Sequence, residues 1–343
     1  MRSELKIRHL LWVCPNHGHP LKNGNQVFEC PEGCSFPLVN DIPRFVPLKN
    51  YASSFGLQWN QFRTTQLDSH TGLTISRDRL TRLLGGSLDV VKGKKVLEAG
   101  CGAGRFSEIL LEAGAHLHAV DLSSAVEANY KNCSSFQNYS VCQASILELP
   151  FAPEQFDIVI CIGVIQHTPN PEQTMTALCK QVKPGGLLVI DHYTYGYPTT
   201  LSRRLLRTLL LNAPRKITLP FCSVLTKILW PFHRLFWYAR QLPVMGRIRA
   251  LFLRASPLVD YHDAYPQLGA KLLRIWATLD THDTLTDYYK HLRSADEIRA
   301  HLQQCGMEKI EAYYAGNGVE ARARKRLVPG EHLTESKIYE GPQ

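Results

Sequence analysis

Apolar residues change their spacing several times along the chain. Short apolar runs at 95–99, 116–120, 139–143, 156–161 and 187–192 are each bounded by turn residues and predict buried strands. Stretches near 104–113, 123–132 and 171–182 lie between them and predict helices. Strand–helix alternation implies an α/β fold with a parallel sheet, and a ligand at the strands' C-terminal ends. Further on, 268–279 reads as helix and 280–289 as a polar loop. Ser294 and Glu297 form a capping-box pattern for a helix that Gly306 stops. Two closing strands are expected at 309–314 and 318–325. Near the start, Phe55, Trp59 and Phe62 fall on one helix face, either a core-facing stripe or a lid over a ligand.

Residues 195–260 interrupt this pattern. Residues 201–211 place leucines on one helix face and arginines on another. Residues 217–237 are rich in Leu, Phe and Trp, and Pro220 and Pro231 are expected to break them. From His192 to Val259 there is no Asp or Glu, while eleven Arg and Lys occur. Those cations exceed the formal net charge of +9, so the remainder of the chain is near neutral. A basic amphipathic segment suits an anionic membrane, a lipid-linked or phosphorylated substrate, or nucleic acid. A helical cap with solvated arginines also fits, and a cap can double as a substrate lid.

The turn after the first core strand reads Glu98-Ala-Gly100-Cys101-Gly102-Ala-Gly104. Glycines let backbone approach a ligand closely, and the following helix offers free N–H groups. Asp121 ends the next strand, about 20 positions on, where a carboxylate suits two ribose hydroxyls. Then follow Ser145-Ile146-Leu-Glu-Leu-Pro-Phe151, a fourth strand, and Lys183-Pro-Gly-Gly186 before a fifth. In spacing and order these motifs resemble class I S-adenosylmethionine (SAM) methyltransferases, of the type 11 or ubiquinone-methyltransferase-like kind, over about residues 90–195. The resemblance implies a Rossmann-like seven-stranded sheet whose last two strands are antiparallel, with the helical insertion after strand 5. It also implies SAM as cofactor, with Glu98, Gly100, Cys101, Gly102 and Gly104 around the amino acid and ribose. Asp121 would take the ribose hydroxyls and Leu122 would lie beside adenine. Ser145 and Ile146 stand where an adenine contact is expected, although the family usually has Asp in place of Ser145. Gln66 and Arg79 are candidates to meet the SAM carboxylate, which suits an Arg fork.

Methyl transfer is an in-line displacement, so the enzyme mainly aligns the acceptor and excludes water. An oxygen acceptor also calls for a base. His167 at the end of the fourth strand is the first candidate, His192 at the end of the fifth the second, and His282 the third. Around His167 the chain resembles ubiquinone-type O-methyltransferases, which carry Glu-x-x-Glu-His there and bind a divalent metal with it. This chain has Gly163-x-x-Gln166-His167 instead. A hard cation has little to hold it, which predicts a metal-free active site.

Residues 1–48 hold Cys14-Pro-Asn-His17 and Cys30-Pro-Glu-Gly-Cys34, two ligand pairs spaced like zinc-ribbon knuckles. With the Phe36-Pro37…Ile42-Pro43 tail they resemble small ribbon proteins that serve as methyltransferase activator subunits. The resemblance implies a structural zinc on Cys14, His17, Cys30 and Cys34, with His19 a competing ligand. A ribbon held by apolar packing without metal is the alternative.

The segments expected are a ribbon (1–48), a helical connector and cofactor lid (49–94), a SAM-binding core (95–194), the basic insertion (195–260) and a C-terminal part of the core domain (261–343). The polar tail from Pro329 is expected to be mobile. Ten scattered cysteines suit reduced thiols in a cytoplasm, and the apolar run 10–13 is too short for a signal peptide. No run approaches the roughly 18 apolar residues of a spanning helix. The reading is a SAM-dependent, O-directed methyltransferase for a small-molecule, sugar or lipid-linked acceptor, cytoplasmic or peripheral to a membrane. An RNA or protein methyltransferase, and a non-catalytic SAM- or partner-binding module, are the alternatives.

Overall fold

The computed structural model describes residues 11–47 and 50–327. The charged N-terminal positions and the tail from Pro329 lie outside the described residues. Four short strands come first: β1 (Lys22–Gly24), β2 (Val27–Glu29), β3 (Ser35–Val39) and β4 (Ile42–Pro43) form an antiparallel sheet in that order. Helices α1 (Ser53–Gln61), α2 (Asp68–Thr71) and α3 (Ile75–Leu83) lead into the main sheet.

In that sheet β5 (Lys95–Ala99), α4 (Ser107–Glu112), β6 (His116–Asp121), α5 (Val126–Cys133), β7 (Tyr139–Gln143), β8 (Phe156–Cys161), α6 (Pro171–Gln181) and β9 (Val182–Tyr193) alternate. After an insertion, β10 (Met307–Ala315) and β11 (Gly318–Lys325) return to it. The strand order is β10-β11-β9-β8-β5-β6-β7, with β5 to β9 parallel and β10 and β11 antiparallel. This is the seven-stranded Rossmann-like sheet. The order in which successive strands are added switches sides between β5 and β8, and a ligand crevice opens beyond the strand ends at such a point.

Alternation along each strand sorts side chains onto the two faces. On β9, Leu188 and Ile190 join one buried cluster, while Leu187 and Val189 join the other. The first cluster also takes in Trp12, Cys14, Phe28, Cys30 and Phe36 of the N-terminal segment. This N-terminal four-stranded sheet therefore shares its core with the main sheet. Trp12 packs on Phe151 with ring centres 5.0 Å apart. Phe45 N–H donates to the Gln143 carbonyl at 2.8 Å, and Arg44 donates to the Gln143 side chain at 3.1 Å and pairs with Glu127. These contacts cover the β7 edge, which would otherwise expose unpaired backbone.

The insertion carries α7 (Leu201–Leu210), α8 (Arg215–Tyr238) and α9 (Pro243–Ala255); α10 (Gly269–Thr286) and α11 (Ala295–Gln304) follow. Two sequence expectations fail here. Helix α8 runs through Pro220 and Pro231 without a break. Its inner stripe, including Cys222, Thr226, Trp230 and His233, is buried along its whole length, and that packing overrides the missing N–H groups. The expected polar loop at 280–289 is instead helical to Thr286. Leu279 and Leu285 are fully buried there, and the Thr278 and Thr286 hydroxyls bond back to the carbonyls four residues earlier. The capping box holds: Ser294 and Glu297 exchange both bonds at the start of α11. Among the described residues, no helix is long and apolar enough to cross a membrane.

Candidate functional site

A cavity of about 260 Å³ opens over the ends of β5 and β8. Gly100 turns the chain at φ +83°, and a Cβ there would stand 2.2 Å from Val164. Only glycine lets the two loops meet this closely. Gly102 N–H donates to Asp121 Oδ2 at 2.9 Å, while Ser123 donates to Oδ1 through its N–H (2.8 Å) and hydroxyl (2.6 Å). Burial raises the Asp121 carboxyl above its ordinary value; the Ser123 and Gly102 bonds oppose this.

Gly100, Cys101, Gly102, Asp121, Leu122, Ser145, Ile146, Gln66 and Arg79 all line this cavity. Two residues singled out for the cofactor do not. Glu98 is buried behind the turn and accepts from the Ser107 hydroxyl at 2.5 Å. Burial pushes its carboxyl up to about 8. Gly104 packs against Cys133 and Asn129 of α5 rather than facing the hollow. Both shape the turn from behind. Ser145 lines the cavity while its hydroxyl oxygen accepts the Leu147 N–H at 3.2 Å, capping the turn at 146–148.

Two guanidiniums that line the cavity, those of Arg79 and Arg105, both lie over Phe106. Arg79 pairs with Asp191, whose other oxygen accepts the Gly163 N–H at 2.5 Å. Arg105 donates to Ser76 Oγ at 2.7 Å and Gln66 Oε1 at 3.2 Å, and lies over the rings of Phe106 and Trp276. Burial, then Arg79, pushes the Arg105 pKa down to about 10. Asp280 accepts from the Tyr261 hydroxyl at 2.5 Å. Its carboxyl is pushed up to about 7, by burial before all else.

Phe55 and Trp59 of α1 line the cavity; the residues α1 buries are Ser54, Gly56 and Gln58. The aromatic stripe thus faces the hollow rather than the core. Phe62, third in the stripe, caps the C-terminus of α1.

His167 also lines the cavity, its ring 5.5 Å from Phe55 and edge-on to Tyr193 at 5.3 Å. Its Nδ1 is 3.1 Å from the Tyr289 carbonyl and 3.4 Å from Asp287 Oδ2. Asp287 also pairs with Arg207 and Lys290. Burial lowers the His167 pKa; Asp287 and the Tyr289 carbonyl oppose this. The imidazole is therefore neutral at pH 7, with one nitrogen free to accept a proton.

The other two candidate histidines lie elsewhere. His192 follows the strand alternation to the face opposite Tyr193, and its Nδ1 donates to the Tyr193 carbonyl at 2.7 Å. His282 is buried between Gln58 Oε1 (2.6 Å) and Thr218 Oγ1 (3.1 Å), tying α10 to α1 and α8. Neither lines the cavity, and burial pushes both pKa values down to about 4.

Sequence reasoning missed Arg105, Asp280, Asp283 and the pair Tyr193 and Tyr197, whose rings stack at 4.1 Å. Once 280–286 is helical, Asp280, Asp283 and Thr284 share the cavity-facing side. Asp283 is pushed up to about 7 by burial, then by Asp287, and its Oδ1 has no partner among the described residues.

In the N-terminal segment, His17 Nδ1 lies 3.8, 3.5 and 3.7 Å from the sulfurs of Cys14, Cys30 and Cys34. His19 instead faces Glu32 at 3.6 Å.

Residues 97–190 match a family model described as a methyltransferase domain. The ubiquinone biosynthesis O-methyltransferase of Azoarcus sp. (strain BH72) is 34% identical over 131 residues, 37% of this chain and 48% of that relative. The protein of the same description in Aromatoleum aromaticum is 39% identical over 99 residues, 27% of this chain and 42% of that one. The chain spans less than half the length of these curated relatives. Among solved structures, the CurJ carbon methyltransferase aligns with a TM-score of 0.44 at 12% identity, covering 81% of this chain and 61% of that one. Magnesium protoporphyrin IX methyltransferase from Synechocystis PCC 6803 aligns at 0.38 with 14% identity, covering 75% and 79%. Residues 97–190 are thus similar in sequence to a methyltransferase domain, and they supply the parallel core of the Rossmann-like sheet.

Proposed function

We propose that the protein transfers a methyl group from SAM to a hydroxyl of a small, polar acceptor, with His167 as the base. The observation that carries this reading is one cavity holding both the Gly102–Asp121 grip and a neutral, oriented His167. SAM, when bound, supplies the methyl as an electrophilic carbon on a positive sulfur.

The residues present fit that cofactor. Asp121, held on both oxygens, is fixed to accept ribose hydroxyls. Arg79 and Arg105 suit the amino-acid carboxylate, with Gln66 bonded to Arg105 beside them. Asp280 suits the ammonium, in a site dry enough to strengthen each contact. Leu122, Ile146 and Ser145 border the adenine side.

At the acceptor end, His167 takes the hydroxyl proton as the oxygen–carbon bond forms and the carbon–sulfur bond breaks. The Tyr289 carbonyl and Asp287 hold Nδ1 and stabilise the imidazolium that results. Phe55, Trp59, Tyr193 and Tyr197 exclude water and align the acceptor. The unpartnered Asp283 oxygen supports an acceptor with a second hydroxyl or an amine to donate to it. Gly163 and Gln166, in place of two carboxylates, support chemistry without a divalent metal at this site.

A structural zinc on Cys14, His17, Cys30 and Cys34 is part of the reading. Zinc bonds of about 2.3 Å to sulfur and 2.0 Å to nitrogen give tetrahedral edges of about 3.5 Å between them. The three sulfur–nitrogen separations of 3.5–3.8 Å fit that figure. Such an ion would crosslink two knuckles already packed on the main core.

Calorimetry with S-adenosylhomocysteine tests the cofactor site: Asp121→Ala should weaken binding at least about tenfold, the loss of one charged hydrogen-bond pair. Unchanged affinity removes the assignment. Labelled methyl transfer to a metabolite extract, against bulk RNA and protein, tests the acceptor class.

A further inference from the structure

The outer surface of the insertion is not that of a solvated cap. On α8, Cys222, Thr226, Trp230 and His233 face inward and are buried. The opposite side should then be polar. It instead carries Ile217, Phe221, Val224, Ile228, Phe232 and Leu235, spaced three or four apart and 40–59% exposed. Helix α7 adds Leu201, Leu205 and Leu209, and α9 adds Val244, Ile248 and Leu251. Three neighbouring helices thus each present an apolar stripe to solvent. Scattered exposed leucines need no explanation, but apolar stripes repeated on three helices in contact mark an interaction surface.

Charge identifies the partner. Arg203, Arg207 and Arg249 are spent on internal acceptors: the Pro257 and Leu258 carbonyls, Asp287, and Asp260 with Asp263. Arg204, Lys216, Lys227, Arg234, Arg247 and Arg254 remain exposed. On α8, Lys216, Lys227 and Arg234 fall within about 20° of one line, flanking the apolar stripe. No acidic residue dilutes them between His192 and Val259. Apolar side chains rimmed by cations match an anionic lipid surface. Nucleic acid would take the cations and leave a dozen apolar side chains in water.

We propose that α7, α8 and α9 lie on an anionic bilayer surface, with the apolar stripes in the headgroup–acyl boundary and the exposed cations on lipid phosphates. None of the described helices can span a bilayer, so the contact is interfacial. Tyr197 and Val259, at the two ends of the insertion, both line the cavity. This proposal stands independently of the assigned chemistry.

Flotation of the full chain with phosphatidylcholine vesicles, with and without phosphatidylglycerol, tests it. The chain should float with the anionic vesicles, and at least about tenfold less with the neutral ones or at high salt. The double variant Leu205→Glu, Ile228→Glu should lose flotation by a similar factor. The triple variant Lys216→Glu, Lys227→Glu, Arg234→Glu should abolish the preference for anionic lipid. All these positions are exposed, so circular dichroism and cofactor affinity should not change. Absence of vesicle binding overturns the proposal. So does equal flotation by the variants, a dimer in sedimentation velocity that Ile228→Glu dissociates, or salt-sensitive RNA binding without vesicle binding.

Discussion

His167 Nδ1 and Asp287 Oδ2 stand 3.4 Å apart, joining the turn after β8 to the end of α10. The same carboxylate is neutralised by Arg207 and Lys290, so α7 and α10 hold the histidine's orientation from outside the sheet. His167→Asn should lower methyl transfer about 100- to 10,000-fold while leaving cofactor affinity intact. Asp287→Asn should lower kcat less and leave KM for the cofactor unchanged. Single-turnover assays beside calorimetry separate the two effects. Equal losses for His282→Asn would point to stability rather than proton transfer.

The pH profile follows from the same pair. Burial holds the folded His167 pKa below the ordinary histidine value, so the base is already free at neutral pH. The rate should be flat through pH 7 and fall only at pH below that ordinary value. Asp287 raises the histidine pKa, so Asp287→Asn should move the acid limb to still lower pH. An acid limb that moves upward in the variant contradicts the pairing.

Asp280 and Asp283 should make the cofactor-free protein less stable as pH rises. Both are pushed up to about 7 by burial. Between the ordinary aspartate range and pH 7 the folded chain therefore binds more protons than the unfolded one. Stability is highest at the acid side of that window, falls through it, and levels off above 7. Asp283→Asn should flatten the slope and raise the melting temperature by a few degrees at pH 8. The same variant should raise KM for the acceptor, since Asp283 Oδ1 is the unpartnered acceptor in the cavity.

Metal analysis addresses the ribbon. Cys30→Ser or His17→Ala should lose zinc, while His19→Ala should keep it, because His19 faces Glu32. Chelation should lower thermal stability without abolishing cofactor binding, as Trp12, Phe28 and Phe36 remain packed on the main core. A zinc-free wild type refutes the site.

Arg105→Met should keep the packing over Phe106 and Trp276 and remove the charge. Affinity for S-adenosylhomocysteine should fall about tenfold or more. Affinity for adenosine, which has no carboxylate, should not change.

By itself the sequence determined the order of strands and helices from 95 to 193, the Gly-rich turn, Asp121 at a strand tip and His167 at another. Those features are local: strand alternation, a turn that only glycine can make, and a cap are written within a few neighbouring residues. Tertiary structure decided the rest. Whether Glu98 faces the ligand or hides behind Ser107, and which of three histidines meets the cavity, depended on which sheet face each occupies. Asp280 and Asp283 looked like loop because a helix that lines a polar hollow has no simple apolar period. Helix α8 kept its two prolines because contacts with α10, far along the chain, outweigh two missing hydrogen bonds. Such long-range packing has no signature in a local window.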